Sequence, residues 1–370
     1  MSTRLSPIQK LFTENAVDSD VILEKTIEFG RDYLGGEWKE TEKSRVKVTQ
    51  ITNAQSNDIF LATSSVAKPF IIRIHRQSME HKFQDTVLCA ILSERGLGPK
   101  LYGFFEGGRL EEFLPSKTFD VDGVLESEVS RRIGAVLPRY HTIQMPLSKK
   151  NQRAIPRMRE FLAEYKALGG GDWTIRKTTV TYSEHPEKVS VEDISRELDT
   201  FEKWAGLFED TVVYCHNDLA CGNVLELNSS GSIVLIDWEF SSYNWRGFDI
   251  AMHLAETAID YRIPVAPWVA FSEQLTDAPP NLTLFADAYL DAHAKMHGYT
   301  RSDAHLDRLL HEIRFFWPLT HLFWAIGAMG ALLRNDKCDF DLSVAANDRL
   351  AIYFHLKPRS EKIFDELSRE

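Results

Sequence analysis

The sequence contains the stretch Val213–Leu225, which reads VYCHNDLACGNVL, and shortly after it Ile233–Glu239, which reads IVLIDWE. In both stretches a run of apolar, partly β-branched residues comes just before an acidic residue, Asp218 in the first and Asp237 in the second. Such runs predict β-strands. We therefore expect both carboxylates at strand ends, where loops commonly carry binding and catalytic residues.

The spacing of polar residues in these stretches is typical of a kinase-like catalytic loop. His216 and Asp218 are followed by Asn223 in the pattern H-x-D-x-x-x-x-N, and Asp237 comes later, after the next strands. Phosphoryl transfer needs a carboxylate that orients the acceptor hydroxyl and takes its proton, together with oxygen ligands that hold Mg²⁺ against the phosphates. Asp218 fits the first role, and Asn223 and Asp237 offer the oxygen ligands that Mg²⁺ prefers.

Other interpretations of the same residues are less favoured. A metallohydrolase site built from His216, Asp218 and Asp237 would lack the further histidine ligands that such sites use. We expect His216 to hold the loop by hydrogen bonds. Cys215 and Cys221 are predicted to be packing residues, because no second Cys or His pair has zinc-site spacing.

Composition limits the classes of partner and compartment. The chain has 370 residues and a formal net charge of −11, which disfavours binding to nucleic acid or anionic lipid. It has four cysteines and no C-x-x-C pair, so we expect a reduced, cytoplasmic protein. Phe315–Leu333 is nearly all apolar. A buried core helix is the favoured interpretation, and a membrane span is the alternative.

The order of predicted elements indicates an α+β protein with two lobes. Residues 1–113 are predicted to form a small β-rich lobe with one helix, whose strands include Phe70–His75 and whose helix ends near Gly96. Residues 114–370 are predicted to form a larger, mainly helical lobe that carries the catalytic loop.

Longer strings of sequence resemble the choline/ethanolamine kinase family, and the upstream ones resemble choline kinases more than ethanolamine kinases. The resemblance runs from about Arg31 to Lys357, and the strings that carry it are Ala90–Gly103, Gly108–Ser116, Cys215–Asn223 and Ile236–Ile250. It implies a protein-kinase-like fold with ATP between the lobes. It also implies phosphorylation of the choline hydroxyl, the first step of a route to phosphatidylcholine, and a possible homodimer.

The resemblance assigns roles to individual residues. Asp218 would be the catalytic base, and Asn223 and Asp237 would bind Mg²⁺ with Glu239 nearby. Arg73 matches the basic strand residue that contacts the ATP phosphates; the alternative is an ordinary surface arginine.

The resemblance also locates the nucleotide-binding segments. The hinge that holds adenine corresponds to Glu112–Ser116, and we assign adenine contacts to Glu112, Phe113 and Leu114. The loop that covers the phosphates corresponds to Asn53–Ile59, and the residues assigned to it are Asn53, Ala54, Gln55, Ser56 and Asn57. The family usually has two glycines where this chain has Asn53 and Ala54, and commonly Gln where it has Ala220. Asp85 stands where the family has Glu on the helix after the arginine strand.

The acceptor site implied by the resemblance departs from the family pattern. Glu256, Tyr261 and Trp324 match residues that line the pocket, but Gly327 and Ala345 stand where the family has aromatic residues. A quaternary ammonium binds best to aromatic faces. We therefore expect weaker discrimination between choline and ethanolamine. An ethanolamine or broader amino-alcohol kinase, and a degenerate kinase fold that only binds ligands, remain alternatives.

Overall fold

The chain folds into two compact units. The computed structural model describes residues 5–51, 57–75, 83–150 and 153–369, with the backbone alone for residues 83 and 84. One unit comprises Met1–Ser116 and Leu227–Val234, and the other comprises Lys117–Glu226 and Leu235–Glu370. The boundary predicted after residue 113 remains a prediction.

The first unit is built on an antiparallel sheet. Its strands are β1 (Val46–Ile51), β2 (Asn57–Ser64), β3 (Phe70–His75), β4 (Leu101–Phe105) and β5 (Gly108–Glu112). Its helices are α1 (Pro7–Glu14), α2 (Asp20–Phe29) and α3 (Phe83–Glu94). The strand order is β1-β2-β3-β5-β4, and each neighbouring pair is antiparallel.

Side chains alternate between the two faces of this sheet, as the period of a strand requires. On β3, Phe70, Ile72 and Ile74 are fully buried in a cluster that α1 and α2 complete. The Phe12 ring of α1 lies 5.1 Å from that of Phe60. Arg73 therefore points to the opposite face, away from this core.

The expectation of one helix in residues 1–113 was wrong, because α1 and α2 also form there. A signal for α1 was present in the sequence: Ser6 and Gln9 form a reciprocal capping box, and Pro7 occupies the first turn. The Gln9 side chain also donates a 2.5 Å hydrogen bond to the carbonyl oxygen of His75 at the end of β3. This helix thus closes one end of the sheet.

The second unit is mainly helical. Its helices are α4 (Val121–Leu125), α5 (Ser127–His141), α6 (Ala154–Ala167), α7 (Val191–Ala205), α8 (Arg246–Glu256), α9 (Glu273–Asp277), α10 (Leu282–His297), α11 (Asp303–Arg334) and α12 (Leu342–Leu367). Short strands pair as β7 (Trp173–Thr174) with β8 (Lys188–Val189), β9 (Val212–Cys215) with β12 (Ser242–Trp245), and β13 (Ile259–Asp260) with β14 (Ala270–Phe271). A separate small sheet of order β11-β10-β6 consists of β6 (Ser116–Thr118), β10 (Val224–Leu227) and β11 (Ile233–Leu235), of which Ser116, Leu227 and residues 233–234 belong to the first unit.

Helix α11 forms the centre of the second unit. It is long and apolar enough to cross a membrane, but 72% of its most apolar window is buried inside the protein. It packs against α6, α8, α10 and α12. A helix that is apolar all round is buried when other helices cover every side of it. The structure therefore favours the core-helix interpretation of Phe315–Leu333.

Candidate active site

The catalytic loop predicted from the sequence connects β9 to β10 in the second unit. It begins after Cys215 and ends with a short 3-10 turn, Cys221–Asn223. Asn217 has a φ of 63°, the left-handed conformation that asparagine tolerates better than most residues. Its side-chain amide donates to the carbonyl oxygen of Phe240 (3.0 Å) and to the Ser242 hydroxyl (2.9 Å). These bonds hold the loop against the segment that follows Asp237.

A buried carboxylate on α8 anchors the start of this loop. Asp249 is fully buried, and it accepts hydrogen bonds from the backbone N–H groups of Asn217 (2.7 Å) and His216 (3.0 Å). The Nε2 atom of His141, on α5, donates to the same carboxylate at 3.0 Å. Burial alone would raise the pKa of Asp249, but the hydrogen bond and charge of His141 hold it below its usual value.

Asp218 and Asn223 lie side by side in the loop. The Asn223 side-chain nitrogen donates to the Asp218 carbonyl oxygen at 2.8 Å and to its carboxylate at 3.3 Å. This orientation leaves the amide oxygen of Asn223 as the atom that could bind a cation. The structure thus brings together the two residues predicted as base and metal ligand.

Asp237 is tied to the same loop through the residue before it. The Ile236 N–H donates to the Asn223 carbonyl oxygen at 3.0 Å, and the Ile236 carbonyl oxygen accepts from His216 Nε2 at 2.8 Å. His216 therefore holds the loop, as predicted. Asp237 has a φ of 63° and a half-buried side chain, and Glu239 close to it is exposed.

Negative charge accumulates around Asp218. Burial, followed by the charges of Glu256, Asp237 and Glu239, raises the pKa of Asp218 well above its usual value, and Arg349 opposes this shift. A divalent cation at Asn223 and Asp237 would offset part of this repulsion. The donors are all oxygen atoms, which suits Mg²⁺. The residues present therefore fit the predicted metal.

The predicted acceptor residues also lie in the second unit. Glu256 ends α8 and is buried, and the Tyr261 hydroxyl donates to it at 3.0 Å. The half-buried Trp324 on α11 packs against Phe240, with ring centroids 5.1 Å apart, and donates to the Met252 sulfur at 3.1 Å. Trp324 is thus held in the core on one side, and part of its surface stays accessible.

Three residues that the sequence did not single out lie beside these acceptor residues. Arg349 on α12 forms a buried ion pair with Glu256. The Phe340 ring lies 5.0 Å from that of Tyr261, and a Cβ at Gly327 would lie 4.0 Å from the Phe161 ring. Ala345, the other position that lacks the family's aromatic residue, is buried. Aromatic residues from other elements thus lie close to Tyr261 and Gly327.

The residues assigned to the nucleotide lie in the first unit. Arg73 on β3 lies opposite Arg109 on β5, and its Nε is 3.4 Å from a Glu111 carboxylate oxygen. Asp85 on α3 pairs with Arg109. Burial opposes ionisation of Glu111, but the charges of Arg109 and Arg73 lower its pKa to about 2. The α3 acid and the β3 arginine are thus linked through residues of β5.

The remaining nucleotide assignments are only partly described. Asn57 begins β2, where its side chain lies 3.0 Å from His75 Nδ1. Glu112, which ends β5, accepts from the Lys100 N–H at 3.1 Å, and Phe113 and Leu114 follow it half-buried. Asn53, Ala54, Gln55 and Ser56 lie outside the described residues. The roles of all these residues toward ATP remain predictions.

Comparisons with known proteins agree on one family. A family model described as choline/ethanolamine kinase matches residues 48–354. The chain is 57% identical over 369 residues to choline kinase B1 of Caenorhabditis elegans, across 99% of both chains. It is 55% identical to choline kinase B2 of the same organism, across 99% of this chain and 100% of that protein.

Solved structures agree with this assignment at the level of the fold. A choline kinase from Cryptosporidium parvum Iowa II superposes with a TM-score of 0.74 at 20% identity, across 93% of this chain and 98% of that one. A Plasmodium vivax ethanolamine kinase superposes with a TM-score of 0.70 at 17% identity, across 95% of each chain. These likenesses confirm the α+β, protein-kinase-like fold with a small β-rich part and a larger helical part.

Proposed function

Because the chain belongs to the choline/ethanolamine kinase family, we propose that it transfers the γ-phosphoryl group of ATP to the hydroxyl group of choline, giving phosphocholine and ADP. Membership confirms the predicted family and enzyme class. The observation that carries the proposal is the set of hydrogen bonds that joins Asp218, Asn223 and the segment of Asp237. This arrangement supplies a base, Asp218, beside two residues with oxygen ligands, Asn223 and Asp237.

Asp218 acts as the base in this proposal. The hydrogen bonds from Asn223 orient the Asp218 carboxylate, which accepts the proton. The hydroxyl proton passes to Asp218 as the hydroxyl oxygen bonds to the γ-phosphorus and the bond to the ADP oxygen breaks. Asn223 and Asp237, with Glu239 nearby, would hold Mg²⁺, which supplies positive charge to the phosphates.

The proposal is tested by measuring ADP release from the full chain with Mg²⁺ and ATP. Choline, ethanolamine and their mono- and dimethylated intermediates serve as acceptors. We expect release that depends on the amine, with choline among the accepted substrates. A folded chain that binds ATP but releases no ADP with any of these amines would instead support the ligand-binding alternative. ADP release with ethanolamine alone would support the alternative of an ethanolamine kinase.

Arg73 is expected to act on ATP and not on the amine. Arg73→Ala should raise the KM for ATP by roughly tenfold to a hundredfold, the range for a lost charged hydrogen bond. The KM for choline should change little, and Arg73→Lys should restore part of the loss as a point charge. Lys47→Ala, at an exposed position on β1, is the matched control. An unchanged KM for ATP in Arg73→Ala would make Arg73 an ordinary strand residue.

A cytoplasmic location and a homodimer also belong to the proposal. Both rest on the family resemblance, and the location also on the cysteine pattern. They stay predictions for this chain.

A further inference from the structure

Glu256, Arg349 and Tyr261 form a closed hydrogen-bonded group in the second unit. Arg349 Nη2 donates to Glu256 Oε1 at 2.7 Å, and the Tyr261 hydroxyl donates to Oε2 at 3.0 Å. Arg349 Nη2 also lies 3.1 Å from the Tyr261 hydroxyl oxygen. Both charged residues are almost fully buried, at 4% exposure for Glu256 and 5% for Arg349. Each oxygen of the Glu256 carboxylate thus already accepts a hydrogen bond.

This group lies at the end of the helix that contacts the catalytic loop. On α8, His253 precedes Glu256 by one turn, and its Nδ1 atom lies 2.8 Å from the carbonyl oxygen of Leu219, the residue after Asp218. The charges of Glu256 and Arg349 therefore act near the place where the acceptor hydroxyl must lie. Their effects on a cation bound there have opposite signs, so the pair attracts an ammonium group far less than a lone Glu256 would.

The surroundings of Arg349 favour its pairing with Glu256. Its Nη1 atom is buried and has no acceptor in the part of the chain that the structure describes. The buried His321 lies near enough for the Arg349 charge to add to burial in lowering its pKa, so this neighbour stays neutral. If Arg349 left Glu256, two buried charges would remain unpaired, which is costly. We therefore expect the pair to persist when the amine binds.

The two candidate amines differ in what they need from such a pocket. A primary ammonium has N–H donors that lose hydrogen bonds to water and must find acceptors in the protein. A quaternary ammonium has no donors and needs only favourable apolar and aromatic contact. The Arg349 charge offsets the Glu256 charge for both ammonium ions alike. The difference lies in the acceptors: each Glu256 oxygen already accepts one protein hydrogen bond and so has fewer lone pairs left for the N–H donors of a primary ammonium, whereas a quaternary ammonium needs none.

We propose that Arg349 is a specificity-determining positioning residue: by pairing with Glu256 it occupies part of the hydrogen-bond acceptor that a primary ammonium needs, and so favours choline over ethanolamine. This inference rests on the proposed function of the same site. It differs from the expectation of weak discrimination, which rested on the aromatic residues missing at Gly327 and Ala345 and did not include the pairing of Glu256 with Arg349.

The test is the ratio of kcat/KM for choline to kcat/KM for ethanolamine. We expect the wild type to favour choline. Arg349→Gln frees the Glu256 carboxylate and should lower this ratio by roughly tenfold, the value of one charged hydrogen bond gained by ethanolamine. Arg349→Lys keeps a positive charge beside Glu256 and should retain most of the preference for choline. Arg359→Gln, on the exposed side of the same helix, is the control and should leave the ratio unchanged.

A second variant covers the case in which Arg349→Gln does not fold. Tyr261→Phe removes the donor to Glu256 Oε2 and should shift the ratio in the same direction by a smaller factor. Equal losses for both amines in the folded variants would overturn the inference, because they would show a structural role alone. A wild type that prefers ethanolamine would also overturn it and leave phosphoryl transfer standing. A wild type with no amine-dependent ADP release would remove the proposed function and this inference together.

Discussion

Replacing Asp237 by asparagine is expected to lower kcat by about a thousandfold or more, the order set by losing several kcal/mol of transition-state stabilisation at a metal site. The substitution removes one negative charge and keeps the side-chain shape. Asparagine also tolerates the left-handed backbone at this position, where φ is 63°. The fold should therefore survive, and the loss should reflect the missing charge toward Mg²⁺.

The measurement pairs ADP release with thermal unfolding of the purified variant. The unfolding temperature should stay close to that of the wild type, and the dependence of ATP binding on Mg²⁺ should weaken. Asp172→Asn is the matched control, because Asp172 is an exposed acid that pairs with Lys188. Normal turnover in a folded Asp237→Asn protein would remove Asp237 from the proposed metal site.

The parts of the site that could be predicted from the sequence are those that lie close together in the chain. Asp218 and Asn223 are five residues apart, and their contact follows from one loop conformation. The strands on either side showed the short apolar runs expected of buried strands. The β4–β5 hairpin was predictable for the same reason, since Gly107 and Gly108 mark a turn between two such runs.

The parts that could not be predicted depend on contacts between distant segments. Arg349 and Glu256 are 93 residues apart, and His141 and Asp249 are 108 apart. Periodicity places each residue on a helix, but it does not say which helix faces which. The pairing of Asp85 with Arg109 was missed for a related reason, because it joins a residue of α3 to a residue of β5.

Asp249 shows what signal was available. It lies within the string that carried the family resemblance, but an acid in a mainly apolar helix was left without a role. A carboxylate among apolar neighbours is rarely left unpaired, so its position alone required buried donors. The structure identifies these donors as the backbone of the catalytic loop and His141.

Replacing Asp249 by alanine is expected to lower the free energy of unfolding by about 3–5 kcal/mol, the range for a buried charged group whose partners are left unpaired. It leaves the N–H groups of His216 and Asn217, and the ring of His141, without their acceptor. Asp249→Asn retains one acceptor oxygen and should cost less. Urea unfolding measures the free energy of unfolding of both variants. Asp199→Ala, which removes an exposed ion pair on α7, is the control and should lower this free energy by less than about 1 kcal/mol.

Asp249→Ala is also expected to change how the stability of the fold depends on pH in the acid range. The pKa of Asp249 is lower in the folded chain than its ordinary value, so its ionised form stabilises the fold. This contribution is present above the ordinary carboxyl range and is lost as pH falls through the lower, folded pKa. Stability of the wild type should therefore fall with acidification below about pH 4 more steeply than that of Asp249→Ala. Parallel stability curves for the two proteins would show that His141 and the loop do not hold Asp249 ionised. The position of the catalytic loop would then depend on the hydrogen bonds that the Asn217 side chain donates to Phe240 and Ser242.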